Sequence, residues 1–331
     1  MPNWDGVGRE MRKSQLQFYD SYEKRKKRKF AFICVVVIVL AVAFFTGISM
    51  RALAKHKESS KELSFEHLEE LWNLEDYEGV FAQTDRMLEE KPIQQSVLVY
   101  RGYSAFYLAV SQTDTSAALA YIEDAINALR LALISNYSKS KPQIEYMLAR
   151  AYYQKGVFAT YNCYSDLAIK YFELAKADGY VSNDIPEYLG VSYASLDMTD
   201  ESISAFTEAL GIGESEKLLQ AIGEQYYKAQ DYSKAKQYLF RVVSESNDDI
   251  LVLKSRNILG KIYLEENNLF DAKREFDAIL AKDVNYADAY YGLGIIYEKQ
   301  GDTTKARSEW RKALRVQVNH PGALQKLNNN G

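Results

Sequence analysis

Near its C-terminal end the sequence repeats itself at a spacing of 34 residues. Leu259, Gly260 and Tyr263 recur as Leu293, Gly294 and Tyr297. Ala272, Phe276 and Ile279 recur as Ala306, Trp310 and Ala313, and Val284 recurs as Val318. A fixed period of this length marks stacked supersecondary units, none of which can bury its apolar face alone. The 26 Tyr of the chain sit among Ala, Leu, Glu and Lys, which are good helix formers. With only 5 Pro and 17 Gly, the composition disfavours a disordered or all-β chain.

The same template continues upstream with small insertions. One copy carries Leu219, Ile222-Gly223, Tyr226, Ala235, Leu239 and Val242, and another Leu189-Gly190, Tyr193, Ser202, Phe206 and Ala209. A third has Leu148-Ala149 and Tyr152, then Ala168, Phe172 and Ala175. Its interval from Leu148 to Ala168 is seven residues longer than in the last copies. That excess is about two helical turns. Either both helices lengthen together or the turn between them is enlarged. Gly102 with Ala118, Ile122 and Ala125 gives a weaker copy. Leu68, Leu71, Tyr77, Val80, Thr84, Met87 and Pro92 give the weakest. Breakers fall where paired helices must turn: Gln230-Asp231, Glu266-Asn267-Asn268 and Gln300-Gly301-Asp302. The run Ser244–Asp249 is the longest expected connection.

This pattern resembles the tetratricopeptide repeat: a large residue and Leu-Gly-x-x-Tyr on a first helix, Ala-x-x-x-Phe-x-x-Ala on a second. The resemblance implies an all-α, right-handed superhelical solenoid of about seven helix pairs over residues 61–320, with 321–331 as a C-terminal end. It also implies that positions two, five, nine and twelve of each repeat face a groove that holds peptides or partner helices. Those positions include Val99, Tyr103 and Phe106, then Tyr146, Arg150 and Tyr153. Further along they include Gln220 and Tyr227, then Lys254, Asn257 and Lys261, and finally Tyr291 and Ile295. Tyr and Arg dominate interface hot spots. The aromatic belt followed by a Lys/Asn patch suits an extended segment with an acidic feature. Chaperone-binding members clamp a terminal carboxylate with Lys and Asn, but the first repeats here lack that set.

Phe30 to Met50 are uncharged throughout. As a helix they extend about 31 Å, the thickness of a hydrocarbon core. One transmembrane helix is therefore expected over 30–50, ahead of the repeats, with 51–60 as a linker. Lys24, Arg25, Lys26, Lys27, Arg28 and Lys29 stand just before it, where they resist translocation and attract anionic head groups. Residues 1–29 then read as a basic cytoplasmic tail and the repeats as extracytoplasmic, periplasmic in a cell with two membranes. A cleaved signal peptide, cut after Ala52-Leu53-Ala54, is the alternative. The long leader and Arg51 favour an uncleaved anchor.

Net charge is +5 over residues 1–50 and −9 over the rest. The acidic body argues against nucleic-acid binding. Cys34 and Cys163 form no disulfide framework. His56, His67 and His320 are scattered, and no metal-ligand spacing, phosphate loop or nucleotide-binding glycine motif is present. The chain is thus expected to be no enzyme, to need no cofactor, and to act as a single-pass membrane scaffold or adaptor. Its partners would be other proteins, with homo-oligomers among them, in envelope assembly, secretion or a motor-type complex. A mitochondrial outer-membrane import receptor shares the plan but exposes its repeats to the cytosol. An envelope enzyme with accessory repeats lacks room for a catalytic domain.

Overall fold

The structure, a computed structural model, describes residues 44–51, 63–135, 140–160 and 164–329. The chain divides into two compact units, Met1–Asp76 and Tyr77–Gly331. In the first, residues 44–51 are helical, and α1 (Phe65–Asn73) is capped by Ser64, whose Oγ accepts from the His67 N–H at 3.2 Å. The basic run Lys24–Lys29 and the expected membrane segment lie outside the described residues, apart from 44–50. Among the described residues no helix is long and apolar enough to cross a membrane.

The second unit is all-helical among the described residues. After α2 (Tyr77–Glu90) come six helix pairs: α3 (Gln95–Ser111) with α4 (Thr115–Ser135), and α5 (Lys141–Ala159) with α6 (Ser165–Ala177). Next are α7 (Ile185–Ser195) with α8 (Thr199–Ile212), and α9 (Glu216–Lys228) with α10 (Tyr232–Glu245). The last two pairs are α11 (Asp249–Glu265) with α12 (Leu269–Lys282), and α13 (Ala287–Lys299) with α14 (Thr303–Val316). A final helix, α15 (Pro321–Asn329), packs on α14. Each second helix also packs on the next first helix, so the unit is a solenoid of stacked helix pairs, as the repeat implied. The weakest sequence copy corresponds to α1 and α2, which fall on either side of the division between the units.

The repeated residues have identifiable jobs. The recurrent Tyr ends its helix: the carbonyls of Tyr193, Tyr226, Tyr263 and Tyr297 accept from the N–H of Met198, Asp231, Asn268 and Asp302 at 2.8 to 3.0 Å. The residue before each of those donors turns left-handed, with φ of 56° at Asp197, 62° at Gln230, 56° at Asn267 and 81° at Gly301. Asp231, Asn268 and Asp302 then cap the second helix, accepting from the N–H of Lys234, Asp271 and Lys305. In these three turns, three residues reverse the chain and serve both helix ends.

The recurrent glycine lets the paired helices close on a large side chain. A Cβ on Gly294 would stand 2.2 Å from the Trp310 indole nitrogen, and one on Gly260 2.7 Å from the Phe276 ring. Phe276 meets a second glycine, Gly292, midway along the first helix of the following pair, where a Cβ would come within 2.3 Å. One ring therefore seals its own pair and joins it to the next. Ser202 replaces the second-helix Ala in its copy; its buried hydroxyl donates to the Gly190 carbonyl at 2.8 Å. The insertions resolve differently from one another. In the α5/α6 pair the first helix lengthens to 19 residues and the turn enlarges, while α6 keeps 13. In α3/α4 both helices are long, at 17 and 21. The expected connection at Ser244–Asp249 shrinks to three residues, because α11 takes up the excess as an extra turn.

One buried carboxylate makes stability depend on pH. Glu145 of α5 is 2 % exposed, with Oε2 lacking any hydrogen-bond partner, and Lys141 lies 3.4 Å away. Burial pushes its carboxyl above the usual range; Lys141 opposes this, and nearby Asp178 adds to it. A carboxyl raised in the folded state favours folding while protonated, and that contribution falls as pH climbs through the raised value. Glu145→Gln is therefore expected to raise the melting temperature at pH 7, with the gain shrinking toward pH 4. Melting curves at the two pH values check it; a loss of stability at pH 7 would show that the Lys141 attraction dominates.

Candidate protein-binding face

The first helices α3, α5, α7, α9, α11 and α13 carry the positions expected to meet a partner; α3 packs on α5, α9 on α11 and α11 on α13, while α5 meets α7 through side chains. Two clusters form on it. The first lies across α3, α5 and α7. Arg150 of α5 spreads its guanidinium over the rings of Phe106 at 4.8 Å, Tyr146 at 5.7 Å and Tyr188 at 5.9 Å. Its buried Nε has no hydrogen-bond acceptor. Tyr103 donates its hydroxyl to the Gln143 carbonyl at 3.2 Å, tying α3 to α5. Tyr146 donates to Asp184 at 2.5 Å and packs on Tyr180 at 4.6 Å between ring centres. Tyr153 meets Tyr188 edge to face at 4.9 Å. Five of the sequence-expected residues, Tyr103, Phe106, Tyr146, Arg150 and Tyr153, therefore converge.

They do not all face outward. Phe106 and Tyr146 are 2 % and 6 % exposed and belong to the core, whereas Tyr103, Arg150 and Tyr153 are half-buried. Burial pushes the phenols of Tyr103, Tyr146 and Tyr153 up. For Tyr103 the neighbouring Tyr180, Tyr107 and Tyr146 add to that, and for Tyr146 the bond to Asp184 does. The rings stay neutral at physiological pH, so their faces keep the electron-rich character that attracts cations.

Beside this cluster is a recess of about 160 Å³ lined by Tyr153, Asp184, Glu187, Tyr188 and Val191. Asp184, Glu187 and Val191 occupy positions two, five and nine of their repeat, by the same template that selected Tyr146 and Arg150 one repeat earlier. Applying the template to that copy would have found them. Asp184 also accepts from the Ser182 hydroxyl.

The second cluster joins α11 to α13. Asp288 accepts from Asn257 at 3.0 Å and from Lys261 at 3.1 Å, and His320 Nε2 lies 2.9 Å from its other oxygen. His320 Nδ1 accepts from the Ala323 N–H at 3.1 Å and so caps α15, which leaves the proton on Nε2 to donate to Asp288. Burial would raise the Asp288 carboxyl, but Lys261 and the hydrogen bonds hold it below the usual range. Tyr291 rests on the His320 ring at 5.1 Å. Asn257 is buried, and its amide and the Lys261 ammonium serve the joint between repeats. Lys254 is exposed, one turn away on the same helix, and Tyr227 of α9 packs toward Tyr232 at 6.1 Å, apart from both clusters. Asp288 stands at position two of its repeat, where the same template would have found it, whereas His320 lies beyond the last repeat and carried no periodic signal.

The paired helices, the close contact over glycine and the chain of joints define a helical-repeat solenoid. Residues 259–323 match the family model described as tetratricopeptide repeat. Tetratricopeptide repeat protein 1 of Schizosaccharomyces pombe is 25 % identical over 193 residues, 52 % of this chain but 17 % of that protein, so the chain spans a minor part of its relative. Among solved structures, the C-terminal part of a TPR repeat-containing protein from Cytophaga hutchinsonii superposes with a TM-score of 0.55. Identity there is 16 %, over 80 % of this chain and 99 % of that one, a likeness of fold. YrrB, described as a TPR protein with an unusual peptide-binding site, is 24 % identical with a TM-score of 0.47, over 62 % of this chain and all of that one.

Proposed function

We propose that the chain is a membrane-anchored scaffold that holds protein partners on the face formed by its first helices, outside the cytoplasm. The observation that carries the binding part is the convergence of Tyr103, Arg150, Tyr153 and Tyr188 on one face of three successive first helices. Rigid aromatic side chains beside a guanidinium are what interface hot spots are made of. The membrane part rests on the uncharged run from Phe30 to Met50 and the six cations before it. Envelope assembly, secretion or a motor-type complex are settings that such a scaffold would serve.

The test compares crosslinked partners recovered from membranes for the wild type and a variant carrying Tyr153→Ala, Arg150→Ala and Tyr188→Ala. These residues are chosen over Phe106 and Tyr146, whose removal would open the core. With helicity matched by circular dichroism, the expected result is loss of specific partners from the variant. Unchanged partners would move the binding surface elsewhere. Labelling of single cysteines placed on exposed loops of the solenoid, in intact cells, should succeed without permeabilising the inner membrane. Labelling only after its rupture would reverse the topology.

A further inference from the structure

We infer that the recess between α5 and α7 takes a basic side chain, Arg or Lys, of the segment bound on this face. This rests on the binding face proposed above and names the chemistry of its partner. The walls are two tyrosine rings set edge to face, Tyr153 and Tyr188, and the polar lining is two carboxylates, Asp184 and Glu187. Val191, 37 % exposed, forms part of the wall. A cavity of about 150 Å³ accommodates a benzene-sized group. The recess, at about 160 Å³, therefore has room for a guanidinium or for an ammonium with its last methylenes.

The charge balance selects a cation. Asp184 accepts from the Tyr146 and Ser182 hydroxyls, so its oxygens are already engaged within the protein. Glu187 is exposed and pairs with no cation among the described residues. Arg150 lies over the rings of Phe106, Tyr146 and Tyr188 and is not part of the recess lining. What an occupant meets is one carboxylate with no cation partner among the described residues, beside the rings of Tyr153 and Tyr188, so that a cationic head is drawn by charge and its methylenes lie along the tyrosine walls. Of the groups that could have met an acidic segment, the Lys261 ammonium and the Asn257 amide are instead held by Asp288, and Lys254 stands exposed one turn away on α11, remote from this recess. The body of the chain is also acidic overall, at −9 over residues 51–331, which speeds encounter with a basic partner.

The experiment pans a random peptide library against the full chain in detergent, in parallel with Glu187→Gln and with the Tyr153→Ala, Arg150→Ala, Tyr188→Ala variant. Glu187 is exposed, so its replacement by Gln leaves the fold intact. Peptides enriched on the wild type are expected to share an Arg or Lys. Changing that residue to Ala, or Glu187 to Gln, should each weaken binding about tenfold, the scale of one charged contact, and the two changes together should add little more. Enriched peptides that need the tyrosines but share no basic residue would overturn this inference and leave the binding face standing. Failure to enrich any peptide that depends on the tyrosines would overturn both.

Discussion

Phe276→Ala should destabilise the solenoid by about 3–5 kcal/mol, the range for emptying a fully buried aromatic site. The ring is 0 % exposed and fills the space between two glycines, Gly260 of its own pair and Gly292 of the next. Neither glycine can relax into the gap by turning a side chain. The vacated volume must persist as a cavity or be closed by moving α13 as a whole. In a solenoid, stability is close to a sum of repeat and neighbour terms, so the loss is local. Hydrogen exchange should quicken in α11 through α15, while the pairs from α3 to α8 keep their protection. Phe270→Ala, on the same helix but 80 % exposed, should shift stability by less than about 0.5 kcal/mol. Urea denaturation of the two variants decides the matter. A loss below about 1 kcal/mol at Phe276, or uniform exchange along the chain, would show that the joint is not where the structure puts it.

The same residue shows how far the sequence could be read. Phe276 and Trp310 announce themselves because they recur 34 residues apart, each sixteen residues after a glycine that it touches. Periodicity exposes whatever every repeat must do. That is why the helix pairs, the close approach at Gly260 and Gly294, and the turns at Gln230, Asn267 and Gly301 were legible. What one repeat does for a particular neighbour leaves no periodic trace. The template chose Asn257 and Lys261 as groove residues, but the structure ties both to Asp288, which lies on the next first helix, 31 residues from Asn257. An open donor and a committed one look alike in sequence. Likewise, helix propensity does not say whether an insertion will lengthen a helix or a loop. The excess before α6 went into both, and the excess before α11 became an extra turn. The recess at Glu187 was within reach of the template. It emerged only in the structure because its other walls, Tyr153 and Tyr188, come from two different repeats.

Arg256→Ala should be the most damaging loss of a single charge in the solenoid, at about 2–3 kcal/mol. Glu275 of α12 is 2 % exposed; Arg256 of α11 donates to one of its oxygens at 2.6 Å, and Arg274 reaches the other at 3.3 Å. Removing one member of a buried pair strands an ion that has already given up its water, which typically costs about 3–5 kcal/mol. The smaller figure applies here because Arg256 is itself 26 % exposed and Arg274 remains as a second, more solvated partner. The sign of the pair's net contribution is a separate matter, since desolvation of both ions offsets much of their attraction. The double variant Arg256→Met, Glu275→Leu removes ion and counter-ion together and fills similar volume. It should therefore recover to within about 1 kcal/mol of the wild type. Recovery would mean that this bridge selects which helices pair and adds little to how strongly they hold, leaving the strength to Phe276 and its glycines. A double variant as unstable as Arg256→Ala would instead show that the ion pair is itself a source of stability at this joint. Denaturation of Arg256→Met, of Glu275→Leu and of the double, read as a mutant cycle, separates these outcomes.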